Sequence, residues 1–248
     1  IAPATRPPSW RPPADPMAPF AAAAPLPLAV PRLPDTTEME AARIAWAYFR
    51  NNTSPQTGLV ASVDGYPSTT LWETGGLIDA ILSAERLGLI DAAEARQRLT
   101  KVLHSLARLP LTAVGMPNKA YDIRDLRMVN YQNKPTASGI GWSALDIGRL
   151  MAAMTAAQRA HPELAGQVQN VLRGWKLGHL VAQGELNGAN IKDGVIEEHQ
   201  EGRIGYEQYA AKAILAFTLD ATAALDMTGQ LVARDVDGIP VPGDSRLN

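Results

Sequence analysis

Residues 68–107 read STTLWETGGLIDAILSAERLGLIDAAEARQRLTKVLHSLA, and this stretch decides the fold class. Thr69 or Thr70 offers a hydroxyl cap, and from there to Leu87 apolar residues recur at helical spacing. Gly75, Gly76, Ala80 and Ala84 are interspersed with them and admit a close neighbour. Gly88 ends that helix, Asp91 caps the next with Glu94 at the capping-box position, and the pattern continues to Ala107. Two helices joined by so short a turn form a helical hairpin.

The same signs recur on both sides. Upstream, Asp35 or Thr36 caps a helix from about Thr37 to Arg50. Downstream, Gly141 precedes a helix to Arg159, Pro162 opens one to about Ala182, and another runs from Tyr206 to Met227. The irregular segments fall before the second, fourth and sixth helices, which would gather them at one rim. The pattern predicts an all-α fold of helical hairpins of the (α/α) toroid type, with long rim loops and a short extended segment after Gly229.

Residues 1–34 hold 11 of the 19 prolines and read as a Pro/Ala-rich arm or linker in which Trp10 and Phe20 are candidate anchors. Residues 35–248 form the toroid-like domain. With 23 basic and 25 acidic side chains the formal charge is −2, too balanced to grip nucleic acid or anionic lipid. The absence of cysteine removes disulfides, thiol nucleophiles and cysteine-bearing metal sites. The scattered His104, His161, His179 and His199 offer no metal-ligand spacing, and no phosphate loop, dinucleotide fingerprint or serine-hydrolase elbow is present. No cofactor or metal is expected. No apolar run approaches a membrane span, and a chain beginning at Ile1 reads as a processed or excised piece whose upstream export signal or anchor would be gone.

Three constellations carry chemistry. In the first, Trp72 and Glu73 occupy the first turn of a helix, where a carboxylate is stabilised and suits a base, a nucleophile or a hydroxyl acceptor; a simple capping role is the alternative. In the second, Trp142 and Asp146 are four residues apart on one helix face and Arg149 follows by three, which is either a ligand-facing set or a structural ion pair. The third is EEHQEGRIGYEQYAA, residues 197–211, where glycines bend the chain between Glu201 and Glu207, with Arg203, Tyr206 and Tyr209 alongside. Tyr121 and Asp122 in the preceding loop extend the set. Flat aromatic faces for sugar rings, charged groups for hydroxyls and paired carboxylates for acid and base work are what carbohydrate chemistry needs. Glu207 is expected as proton donor and Asp146, kept ionised by Arg149, as base or nucleophile, with Glu73 and Glu201 orienting hydroxyls and Glu73 the competing base.

At these motifs the chain resembles a bacterial family known mainly as a domain of unknown function. The resemblance rests on Thr57-Gly58-Leu59-Val60, Trp72-Glu73-Thr74-Gly75, Leu87-Gly88-Leu89-Ile90, Pro117-Asn118-Lys119 with Tyr121, Gly141-Trp142-Ser143-Ala144-Leu145-Asp146 with Arg149-Leu150, and residues 201–211. It implies an exported or membrane-attached, periplasmic or extracytoplasmic protein linked to exopolysaccharide or glucan synthesis. Through that family the chain is distantly similar to glucoamylase-like and β-1,2-glucanase (α/α)-toroid glycoside hydrolases. The family domain runs on past Asn248, so a missing half or a second chain would complete the toroid. The expected activity is glycoside hydrolysis of a glucan-like bacterial polysaccharide; a non-catalytic polysaccharide-binding or scaffold subunit is the alternative.

Overall fold

The computed structural model describes residues 30–246. Most of the proline-rich arm, with Trp10 and Phe20, lies outside the described residues. Two compact units are present, Arg32–Asp226 and one that takes in residues 227–246.

The first unit opens with α1 (Thr36–Asn52), capped by Asp35 in a capping box with Glu38. A short strand β1 (Ser68–Thr70) leads directly into α2 (Leu71–Arg86), whose N-cap is Thr70, and Asp91 caps α3 (Ala92–Leu106). The following segment forms β2 (Ala120–Asp122), β3 (Met128–Val129) and β4 (Gly141–Trp142) before Ser143 caps α4 (Ala144–Ala160). Then come α5 (Ala165–Arg173), β5 (Val181–Ala182), β6 (Glu185–Lys192), β7 (Val195–Gln200) and α6 (Tyr206–Leu215).

The core lies where α2, α4 and α6 pack side by side. Leu77, Ile78 and Ile81 of α2, Ile147, Leu150, Met151 and Met154 of α4, and Ala210, Ala211 and Ile214 of α6 are all buried. Burying each large aliphatic side chain contributes about 1.5–3 kcal/mol. Small residues set the spacing: a Cβ on Gly75 would lie 3.3 Å from the Leu150 backbone, and one on Gly148 would lie 2.6 Å from the Ala210 Cβ. α3 covers α2 and α5 packs on α3.

Two antiparallel sheets flank this stack. One has the order β1-β2-β3, with Thr70 opposite Ala120 and Ala120 opposite Val129. In the other β6 pairs with β4, β5 and β7, and Trp142 stands opposite Ala189. Asn118 ties the first sheet to the loop that returns to α4. Fully buried, it donates to the carbonyls of Ala120 (2.6 Å) and Val129 (3.0 Å) and accepts the Ile140 N–H (2.6 Å).

The second unit contains a two-stranded hairpin, β8 (Leu231–Val236) with β9 (Ile239–Asp244), in which Leu231 faces Asp244 in register.

The all-α toroid expectation is therefore corrected: the fold is mixed, three sheets accompany the helices among the described residues, and the helices close no toroid. The reason is physical. β6 carries glycine and asparagine in place of alternating apolar residues and β7 runs into the polar Glu197–Gln200, so the period-2 signal is missing. Their hairpin is held by Asp193-Gly194, and the β8–β9 hairpin turns at Asp237-Gly238. Both dipeptides have positive φ at each residue, 52° and 80° in the first and 54° and 81° in the second, the conformation that tight hairpins require. Helices five and six also stop short of Ala182 and Met227, at Arg173 and Leu215.

Candidate functional site

The first turns of α2 and α4 carry the central groups. Thr70 caps α2 by accepting the Trp72 N–H (3.1 Å), while Glu73 accepts the Thr70 N–H (2.9 Å) and the Thr70 hydroxyl. On α4 the Ser143 hydroxyl accepts the Asp146 N–H (3.1 Å). Glu201 reaches in from the segment after β7, and its Oε2 accepts the Ala144 N–H at 2.5 Å, at the start of α4. Such an N-terminal amide is otherwise an orphan donor.

Two of these carboxylates, Glu201 and Glu73, act on the third, Asp146. Asp146 is pushed up to about 6, first by burial and then by the negative charges of Glu201 and Glu73; the hydroxyls of Ser143 and Thr70 oppose the shift. Lys119 also belongs to the cluster. Burial lowers its pKa against the pull of Glu201 and Asp146, and its ammonium donates to Asn190 Oδ1 (2.7 Å). The Tyr131 phenol feels the same charges: partial burial, then Asp146, Glu201 and Glu73, raise its pKa, and the Tyr131 carbonyl accepts the Tyr66 hydroxyl (2.9 Å).

An aromatic flank adjoins the cluster. Trp72 lies 5.9 Å from Tyr206, centroid to centroid, and the Arg149 guanidinium stacks over Trp72 at 4.3 Å. Tyr206 and Tyr209 are exposed. Arg149 acts electrostatically on Asp79, and no ion pair joins it to Asp146 among the described residues. The guanidinium that was to keep Asp146 ionised is thus engaged with a ring.

Several other candidates lie elsewhere. Trp142 is fully buried, donating its indole N–H to Asn187 O (3.2 Å) with its ring edge-on to His179. Tyr121 is fully buried between the Asn118 N–H, which it accepts (2.6 Å), and Pro110 O, to which it donates (2.8 Å). Neither offers a face to a ring-shaped ligand. Asp122 is buried and paired with Arg124 at 2.5 Å, which lowers its pKa. Glu207 is 1% exposed and accepts the Gln200 side-chain amide (2.8 Å), which Arg203 in turn braces by donating to Gln200 Oε1 (3.1 Å). The bend between Glu201 and Glu207 is tight: a Cβ on Gly202, at φ 110°, would meet the Glu207 Cβ at 2.8 Å. The cluster therefore brings together Glu73, Asp146 and Glu201, with Trp72, Arg149 and Tyr206 beside them; Lys119 and Tyr131 were not singled out as site residues from sequence.

Concavity alone does not find this place. A groove of about 900 Å³ lies between α1 and α3, but its carboxylates are committed, Asp91 to capping α3 and Glu94 to Arg98. No group of His, Asp and Glu fit to hold a metal ion occurs among the described residues. No helix among them is long and apolar enough to cross a membrane.

The chain belongs to the protein family of unknown function DUF3131, whose model matches residues 40–248, as the motifs implied. Its fold is similar to that of a candidate glucoamylase from Bacteroides fragilis, with TM-score 0.61 and 16% identity over 89% of this chain and 57% of that one. A candidate glucoamylase from Bacteroides uniformis matches with TM-score 0.63 and 13% identity over 86% and 56%. A β-1,2-glucanase from Parabacteroides distasonis matches with TM-score 0.59 and 14% identity over 86% and 36%. The chain thus spans a little over half the length of the first two proteins and less of the third. No functionally curated protein is significantly similar in sequence. The likeness is one of fold, and it is to carbohydrate-active, glycoside-hydrolase-like proteins.

Proposed function

We propose that the protein hydrolyses a glucan-like bacterial polysaccharide with Asp146 as the general acid. The observation that carries this reading is the pKa of Asp146, about 6, set by burial and two neighbouring carboxylates. A carboxylic acid that keeps its proton close to neutral pH can deliver it to a glycosidic oxygen as the bond to the anomeric carbon breaks. Glu201 is the partner carboxylate: one oxygen is held by Ala144 N–H, leaving the other to activate water or to attack the anomeric carbon. Glu73 supplies charge that retains the proton on Asp146 and accepts a sugar hydroxyl. Trp72 and Tyr206 present apolar rings to a pyranose, and Lys119 and Arg149 donate to hydroxyls. Relative to the sequence-based assignment, the acid moves from Glu207, whose carboxyl is enclosed, to Asp146. Export to the periplasm and a covering second half or second chain belong to the same reading through the family resemblance.

The test is to incubate the purified chain with linear α- and β-glucans and to analyse products for the native protein, Asp146→Asn, Glu201→Gln and Glu73→Gln. The expected result is release of shorter glucans, with kcat/KM falling as pH rises through about 6, and a loss of at least about 100-fold in Asp146→Asn. Full turnover by Asp146→Asn would remove it as the acid. Glycan binding without turnover of any substrate would make the protein a binding module.

A further inference from the structure

Gly188 lies within β6, opposite His199 of β7, where the chain makes no turn. Its backbone has no positive φ, so alanine fits the conformation. The space where its side chain would stand is filled. A Cβ there would lie 2.5 Å from Glu201 Oε2 and 2.9 Å from Glu201 Cδ, with the Trp142 carbonyl next at 3.3 Å. The obstructed group is thus the far end of one glutamate, and it is the same oxygen that accepts the Ala144 N–H.

We propose that Gly188 is a positioning residue whose missing side chain seats the Glu201 carboxylate on the first amide of α4, beside Asp146. Neighbouring glycines serve other ends: Gly141, with φ 110°, would drive a Cβ to 1.9 Å from Ala189 O and so permits the β4–β6 pairing itself. Gly188 differs because the atoms it yields to are catalytic-site atoms. The seat matters because the charge of Glu201 is the foremost electrostatic influence on Asp146. The other titratable or charged groups around Asp146 are Glu73 on α2, Lys119 before β2, Tyr131 after β3, and Arg149 on its own helix. α6, packed on α4, adds Glu207, which holds Gln200, and the exposed Lys212.

The role as an acid-tuning device rests on the reading of Asp146 as the acid, but the test is independent of turnover. Carboxyl carbons are followed by NMR through a pH titration in the native protein and in Gly188→Ala, with Asp146 assigned by Asp146→Asn. In Gly188→Ala the Asp146 midpoint should fall by roughly half a pH unit or more, because a like charge has moved away. The Ala144 amide proton should shift upfield as its short hydrogen bond is lost. Glu201→Gln should also lower the midpoint, and adding Gly188→Ala to it should lower it no further. An unchanged or raised midpoint in folded Gly188→Ala overturns the proposal. If Gly188→Ala does not fold, Gly188→Ala/Glu201→Ala decides: recovery of the fold shows that the Cβ collides with Glu201 and supports the seat, and continued failure places the collision on the backbone and overturns it. Should the titration behave as expected while no glycan is cleaved, the seat stands and the hydrolase reading falls.

Discussion

Asp146 concentrates a conflict between stability and chemistry. Its carboxyl is raised to about 6 in the folded chain, against an ordinary value of about 3.9 when unfolded. Below about pH 4 the proton is bound in both states and the group costs nothing; above that the unfolded chain ionises it while the folded chain still holds the proton, so stability is lost progressively and the loss is complete once pH has passed 6 and the half-buried group ionises in the native state as well. The full shift corresponds to about 2–3 kcal/mol. Asp146→Asn is therefore expected to leave the melting temperature nearly unchanged at pH 4 and to raise it at pH 8. Thermal unfolding at the two pH values checks this, and a difference that does not vary with pH would mean that Asp146 is not strained by its surroundings. Trp72 belongs to the same scale: with Arg149 on its ring and Tyr206 alongside, Trp72→Ala should weaken glucan binding about tenfold or more while the fold persists, as read by calorimetry and circular dichroism.

At the scale of elements, small residues set how closely the helices approach. A Cβ on Gly148 would meet Ala210 at its Cβ (2.6 Å) and Cα (2.9 Å), and the backbone of α6 cannot retreat as a flexible side chain can. Gly148→Ala should destabilise by about 1–3 kcal/mol; Gly75→Ala, whose Cβ would stand at 3.3 Å from its neighbours, should cost less. Denaturant titrations of the two variants rank them, and the reverse order would refute this account of the packing. The caps of the first three helices were legible in the sequence, because Asp35, Thr70 and Asp91 stand before apolar runs of period 3.6, Asp35 and Thr70 each as one of two adjacent candidates; the Ser143 cap of α4 was not among them. Glu73 followed from its cap as a first-turn residue, whereas Asp146, read as sharing a helix face with Trp142, sits in the first turn of α4 while Trp142 lies in β4 before the cap. The sheets were not legible by periodicity: β1 through β5 are two or three residues long, too short to alternate, and only the stretch after Gly229, which holds β8 and β9, read as extended. Trp142 and Tyr121 illustrate a different failure. Aromatic residues beside carboxylates suit a sugar site and a core equally well, and burial, which chooses between them, depends on strands β2, β4 and β6.

For the whole molecule, the formal charge of −2 arises from nearly equal numbers of acids and bases. A glucan carries no charge, so its capture through hydroxyls and rings should be almost independent of salt. Raising ionic strength from about 50 to 500 mM should change Kd less than about twofold, whereas a polyanionic ligand would lose affinity steeply. A steep loss, followed by isothermal calorimetry with matched neutral and acidic glycans, would redirect the search to charged polysaccharides.

Asn118 has a further consequence for time. Its side chain fastens Ala120, Val129 and Ile140 to one another from inside, so the loops between β2 and α4 have the internal bonding of a sheet despite their irregular path. Amides there that lie in this net, Ile140 foremost, should exchange with deuterium far more slowly than loop amides do, and Asn118→Ala should release them together. A rim held in that way behaves as a mould fixed before the ligand arrives, so association should follow a single concentration-dependent phase with no slow rearrangement after encounter.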